Sequence, residues 1–398
     1  MLSPESRPPP AVAGRLGWVS FCNDASSEVL ARALPLFLTG SLGASAAVVG
    51  WIEGLADSAA IVLKGLSGWL SDRLPSRKPF VFWGYFLSVA ARASYLVGTT
   101  PVLLGLARIT DRVGKGLRGA PRDAMVADAA LAGRAGRDFG LTRFLDTLGA
   151  MAGILLVLLI GGGGLDPAGF RHLAWIALPL GCGALALLIL AVPSVPRTGS
   201  VPLRLGLAVP RPVRGYLGIV FLFALANSSD AFLVLRAREA GFSFRETLAL
   251  FLVFNGLAAI LAVPAGRLSD RFGRVRFLVA GWIVYAVAYT AMGLSRSPWT
   301  FAGALLGYGA FYGLTEGVEK ALLADLLPAD ERGAGFGSFQ AIHGVGALIA
   351  SPLMGILMSR YGSLPAFAAA GATALAASLL LVGWRLRHKP AGARVEHD

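Results

Sequence analysis

The chain has 398 residues and a formal charge of +13, from 36 Lys and Arg against 23 Asp and Glu. It is 55% hydrophobic and 15% charged, where soluble domains carry about 25% charged residues, and its mean hydropathy is +0.66. These values exclude a soluble enzyme, a disordered tail and a disulfide scaffold; the two cysteines, Cys22 and Cys182, sit in apolar runs and the four histidines show no zinc spacing.

Residues 1–10 are polar and proline-rich. No small-residue cleavage site follows the first apolar run, 15–39, so that run is read as a retained span. Further runs of the roughly 20 residues that cross a bilayer recur at 44–70, 79–97, 101–126, 139–161, 170–193, 213–236, 246–266, 277–295, 299–324, 337–358 and 364–384. The prediction is an all-α polytopic membrane protein with twelve transmembrane helices. A Pro/Arg-rich connector divides it into a six-helix bundle at 1–193, a loop at 194–212, and a second six-helix bundle with a short basic tail at 213–398. The 51 glycines suit helices that pack closely inside a membrane.

Basic residues gather on one side of these spans. The ends of the even-numbered spans and the turns after them hold Arg73, Arg77 and Lys78, then Arg118, Arg122, Arg134 and Arg137, then Arg197, Arg204, Arg211 and Arg214, then Arg267, Arg271, Arg274 and Arg276, and in the tail Arg385, Arg387 and Lys389. The opposite connectors are poorer, apart from Arg236, Arg238 and Arg245. The positive-inside rule then places both termini in the cytoplasm. The same distribution absorbs the surplus charge without a nucleic-acid partner.

A charge at mid-span costs about 2.5–3.5 kcal/mol on insertion scales, so each one needs a partner, water or a function. The first span carries Asn23, Asp24 and Glu28, two acids one turn apart, an arrangement that suits a proton carrier unless a neighbouring Arg108 or Arg112 holds both ionised. In the fourth span Arg108, Asp111, Arg112 and Lys115 fall at i, i+3, i+4 and i+7, which puts them on one helix face near mid-bilayer. That face either lines a cavity or forms an internal ion-pair ladder. The seventh span offers Asn227 and Asp230; the tenth offers Tyr308, Tyr312 and Glu316 in one stripe, with Glu319 deeper and Lys320 beside it. Glu53, Asp57 and Lys64 in the second span, and Arg143 and Asp146 in the fifth, read as structural or gating sets. The mixture of signs leaves the charge of a ligand open.

The two halves resemble each other. Gly68-Trp69-Leu70-Ser71-Asp72-Arg73 recurs in the second half as Gly266-Arg267-Leu268-Ser269-Asp270-Arg271. At almost the same offset, Ala127-Asp128 and Phe139-Gly140 recur as Ala324-Asp325 and Phe336-Gly337. Ser26-Ser27-Glu28 is echoed by Ser228-Ser229-Asp230. Parallel six-span repeats related by an axis along the membrane normal are a transporter architecture, with the substrate site between the halves.

The segment Gly68 to Lys78, Gly-x-Leu-Ser-Asp-Arg-x-x-x-Arg-Lys, resembles the cytoplasmic signature of the major facilitator superfamily, with a degenerate second copy from Gly266 to Arg274. The first copy has Pro75 and Ser76 where that family usually shows a glycine, and the Gly-Pro antiporter signature of the fifth span is missing. The resemblance implies two pseudo-symmetric bundles with spans 1, 4, 7 and 10 lining the cavity. It also implies a monomeric secondary transporter in a bacterial plasma membrane, without a cofactor, that moves a small solute by alternating access. Proton-coupled export is the favoured reading, with Asp24 or Glu28 as leading carrier and Asp230 or Glu316 next; uncoupled or symport-type uptake of an organic anion is the alternative. Gly68, Asp72, Arg73, Arg77, Asp270 and Arg271 become gating residues, with Asp72 expected to pair with an Arg such as Arg122 and Asp270 as its counterpart. Two other classes fit less well. No Gly-x4-Gly-Lys-Ser/Thr loop supports primary pumping, and Gly65-Leu66-Ser67-Gly68 with His343 is a faint echo of an intramembrane serine hydrolase.

Overall fold

In the computed structural model the described residues are 12–71, 76–129, 135–160, 165–194, 213–327 and 332–387. They form α1 (Val12–Ala31), α2 (Ala33–Gly40), α3 (Ala46–Ser71), α4 (Lys78–Val97), α5 (Pro101–Ala129), α6 (Ala135–Ile160) and α7 (Pro167–Ala191) in the first half. The second half holds α8 (Arg214–Ala226), α9 (Ala231–Glu239), α10 (Phe244–Phe272), α11 (Arg274–Leu294), α12 (Pro298–Leu326), α13 (Arg332–Tyr361) and α14 (Ser363–Arg387). The pairs α1–α2 and α8–α9 are each one span interrupted midway, so the fourteen described helices make twelve spans.

Local chemistry sets several boundaries. Asp166 accepts from the Gly169 N–H at 2.9 Å and Pro167 opens α7. Ser243 and Glu246 close a reciprocal capping box on α10. Gly43 and Gly241, which correspond in the repeat, both take positive φ (66° and 97°) in the turns that lead into α3 and α10, where a side chain would be strained. The break between α8 and α9 frees backbone groups that the bilayer cannot hydrate. Tyr285 donates to the Ala226 carbonyl at 2.7 Å, and the Ser229 N–H donates to Ser351 Oγ at 3.1 Å.

Among the described residues nine segments are long and apolar enough to cross a membrane. Spans one, four and ten are not among them, and these carry Asp24 and Glu28, the Arg108–Arg118 charges, and Glu316, Glu319 and Lys320. The expected connector 194–212 lies, apart from Ser194, outside the described residues.

Both halves pin α4 or α11 to the following helix with the same ion pair: Arg77 with Asp128, and Arg274 with Asp325, four residues that match two by two in the repeat. Their interiors differ. In the first, α1, α4, α5 and α6 bury a polar spine. Arg92 donates to Asn23 Oδ1 (3.0 Å) and lies 3.5 Å from Asp111, Arg118 donates to Ser88 Oγ (2.8 Å) with its guanidinium 4.6 Å from the Tyr85 ring, and Arg122 holds Asp146 (3.2 Å). In the second, aromatic rings occupy the corresponding depth. Tyr308 and Tyr312 take the repeat positions of Asp111 and Lys115, and pack with Tyr285, Tyr289, Phe254 and Phe311. α5 runs on to Ala129 and carries Arg118 and Arg122 within the bundle, with Arg118 6% exposed.

The halves meet chiefly where α3 packs on α13. A Cβ at Gly50 would strike the Ser351 carbonyl, one at Gly54 would sit 2.8 Å from Pro352 Cδ, and one at Gly355 would strike the Ala46 carbonyl. The Ala47 N–H donates to Ser359 Oγ at 3.0 Å. This seam occupies the half of the molecule remote from the termini, where α2 also touches α9.

Candidate functional site

Below the seam, between the halves, lies a cavity of about 370 Å³, within the range of small-molecule sites. The first half contributes Glu28, Arg32, Glu53, Asp57, Arg108, Arg112 and Lys115, from α1, α3 and α5. The second contributes Asn227, Ser228, Ser229 and Asp230 from the α8–α9 break, with Tyr312, His343 and Ser351.

The charged groups divide into three sets. Glu53 and Arg108 form a bidentate pair (Nε–Oε1 2.9 Å, Nη2–Oε2 2.9 Å) with side chains 2% and 7% exposed, and Ser229 of the other half donates to Glu53 at 3.3 Å. Arg32 sits at the break between α1 and α2 and bridges Glu28 (3.3 Å) and Asp230 (3.3 Å), with its guanidinium 4.2 Å from the Phe251 ring. Tyr308 donates to the second Asp230 oxygen at 3.1 Å. Arg32 and Asp230 each sit at the helix break of their own half, so this bridge joins the two halves. The third set is looser: Arg112 Nε lies 3.5 Å from Asp57 and has no hydrogen-bond partner, and Lys115 has neither an ion pair nor a hydrogen bond among the described residues. Lys115, unpaired, and Arg112, held only by its ion pair with Asp57, therefore present two donors one turn apart on α5 to the cavity, an arrangement that can take a carboxylate or phosphate.

The structure brings Glu28, Arg108, Arg112, Lys115, Asn227, Asp230 and Tyr312 to one cavity. Asn23, Asp24 and Asp111 lie off it, in the polar spine of the first half: Asn23 donates to Asp24 at 3.1 Å, and Asp111 turns toward Arg92. Tyr308 reaches the cavity only through Asp230. Glu316 lies nearer the terminus-bearing face, where it meets Arg143 of the first half at 3.4 Å and Lys320 at 3.2 Å. Asp72 and Arg73 lie outside the described residues. Arg122, expected near Asp72, is engaged by Ser20, Asp123 and Asp146. Gly68 packs close to Ala120, and Asp270 pairs with Arg274 at 2.9 Å. Ser67 donates to the Gly116 carbonyl at 3.0 Å, while His343 faces Glu319 and Phe339, so among the described residues no serine–histidine contact joins them.

Sequence reasoning misses Arg32 and His343 as cavity residues, and it ranks Glu53 and Asp57 as structural or gating residues first and ligand contacts second, whereas both line the cavity. Arg32 has a signal in its i, i+4 spacing from Glu28. His343, alone on an apolar helix, has none.

A sequence profile described as Major Facilitator Superfamily matches residues 16–235 and 216–397. The chain is 32% identical over 357 residues to an MFS-type transporter of Methanocaldococcus jannaschii, covering 86% of this chain and 87% of that one. Among solved structures it resembles the nucleoside transporter NupG (TM-score 0.80, 12% identity, 94% of this chain and 99% of that one). It also resembles a D-xylose–proton symporter (TM-score 0.75, 18% identity, 93% and 96%). At these identities the structures speak for the fold alone.

Proposed function

Since the chain belongs to the Major Facilitator Superfamily, we propose that it is a multi-pass membrane transporter that moves a small solute bearing an anionic group by alternating access, coupled to protons and directed outward. The observation that carries this reading is the cavity between the halves, walled by charged groups from both and sealed on one side by the α3–α13 seam. In this reading the termini are cytoplasmic and the cavity stands open to that side. Arg112 and Lys115 receive the anionic group. Arg32 with Glu28 and Asp230, and Ser229 with Glu53, latch the halves and part when they rock.

Asp24 is the preferred proton carrier. Its carboxylate accepts from Asn23 and forms no ion pair among the described residues, whereas Glu28 is tied to Arg32. Uncoupled or symport-type uptake of an organic anion would use the same cavity, and the direction of flux and its response to the pH gradient separate the two.

The test begins with a thermal-shift screen of purified protein against metabolites, organic anions, metals and antimicrobials at acidic and mildly alkaline pH. Compounds that stabilise the protein are then followed in proteoliposomes under an imposed pH gradient. Gradient-driven flux that disappears in Asp24→Asn while binding survives supports the reading. Full gradient-driven flux in both Asp24→Asn and Glu28→Gln defeats proton coupling through these acids.

A further inference from the structure

The second half holds a polar pair that the cavity chemistry above does not use. Glu319 on α12 and His343 on α13 face each other with Oε1 and Nε2 3.8 Å apart. Both atoms are buried, and neither has a hydrogen-bond partner. A hydrogen bond here needs about 2.7–3.2 Å, so two polar atoms are held opposite one another with the bond unmade, whereas buried polar atoms in proteins are as a rule hydrogen-bonded.

The surroundings leave Glu319 without a fixed countercharge. From α8, Tyr216 donates to the Glu319 backbone carbonyl (3.2 Å), not to its carboxylate. On α12 itself, Lys320 is taken by Glu316 (3.2 Å), which also meets Arg143 of α6. The charged side chains of α3, which packs on α13, are committed elsewhere: Glu53 to Arg108 (2.9 Å), Asp57 to Arg112 (3.5 Å) and Lys64 to Asp123 (3.9 Å). On α13 the Phe339 ring covers the imidazole edge-on, with centroids 4.5 Å apart. His343 lines the cavity, and its neighbour Gly344 touches Ile61, where the α3–α13 seam begins.

We propose that Glu319 and His343 form a proton-binding site, shared between the two side chains and reached from the cavity through the imidazole. One added proton completes a hydrogen bond from Nε2 to Oε1 and satisfies both orphaned atoms. It also draws α12 onto α13 at the open end of the seam, the helix that carries the contact between halves. This rests on the proton-coupling reading but assigns a site in the second half, independent of Asp24.

Proton uptake by the purified protein in lipid nanodiscs, after a small acid jump in lightly buffered indicator dye, tests it without any substrate. The expectation is that Glu319→Gln and His343→Gln each take up about one proton fewer than wild type, and that the double variant loses no more than either single, because the proton is shared. Asp24→Asn should lower uptake further when added to either. If uptake falls only in Asp24→Asn, coupling stands and this site is wrong; if none of the three changes it, both readings fail. Should Glu319→Gln not fold, His343→Asn, which keeps a polar group in the cavity wall, carries the test alone: unchanged uptake in it overturns the proposal.

Discussion

The Glu53–Arg108 pair allows a quantitative test of how the cavity is held together. Both hydrogen bonds are 2.9 Å and the two side chains are almost fully buried. Removing one partner of such a pair strands the other charge and costs about 3–5 kcal/mol, whereas replacing both with apolar residues is often neutral. Glu53→Met and Arg108→Met are therefore each expected to lower stability by about 3 kcal/mol or more. The double variant should lie near wild type, giving a large favourable coupling in the double-mutant cycle. Unfolding in mixed micelles by SDS titration, followed by tryptophan fluorescence, reads all four proteins on one scale. Two single losses under about 1 kcal/mol, or a double loss equal to their sum, would refute the claim that the pair is desolvated and interdependent.

The same contacts carry three other expectations. Gly54→Leu inserts a side chain against Pro352 and should open the α3–α13 seam, so that cavity residues become accessible from the face remote from the termini; unchanged accessibility would mean the seam is not the closure. Lys115→Gln should weaken binding of carboxylate or phosphate compounds at least tenfold, about 1.4 kcal/mol, while leaving uncharged compounds unaffected in the same thermal-shift titration; equal losses for both would remove Lys115 from anion recognition. Asp128→Asn and Asp325→Asn break the two repeat-related ion pairs and should cost similar amounts of thermal stability, since the pairs occupy equivalent places; a loss confined to one half would show that the repeat is geometric only.

The spans, the repeat and the clustering of charge in spans one, four, seven and ten are legible because each is a property of the chain's own pattern. What the pattern cannot supply is the neighbour. Arg108, Asp111, Arg112 and Lys115 share a broad helix face, yet a rotation of about 60° along it separates Asp111, turned into the first half toward Arg92, from three residues that face the cavity. Arg32 vanishes into the average hydropathy of an apolar run, although it marks the break in span one and bridges both halves. Arg118 and Arg122 read in the sequence as part of the basic end of the fourth span, and only packing shows them turned toward Ser88 and Asp146 inside the first half, on a helix that contains Pro121 without ending there. Glu319 and His343 are far apart in sequence on different helices, and only packing reveals that they meet.

The central claim is that a single cavity between the halves is exposed to one side of the membrane at a time. Ala347, in the cavity wall, can be replaced by cysteine in a Cys22→Ser, Cys182→Ser background and challenged with a membrane-impermeant thiol reagent from each face of oriented vesicles. The account predicts rapid labelling from the terminus-bearing face and none from the other, with the preference reversed or lost when Gly54→Leu disrupts the seam. Equal labelling from both faces of the parent protein would describe a channel and contradict alternating access; labelling from neither would mean the cavity is closed to both.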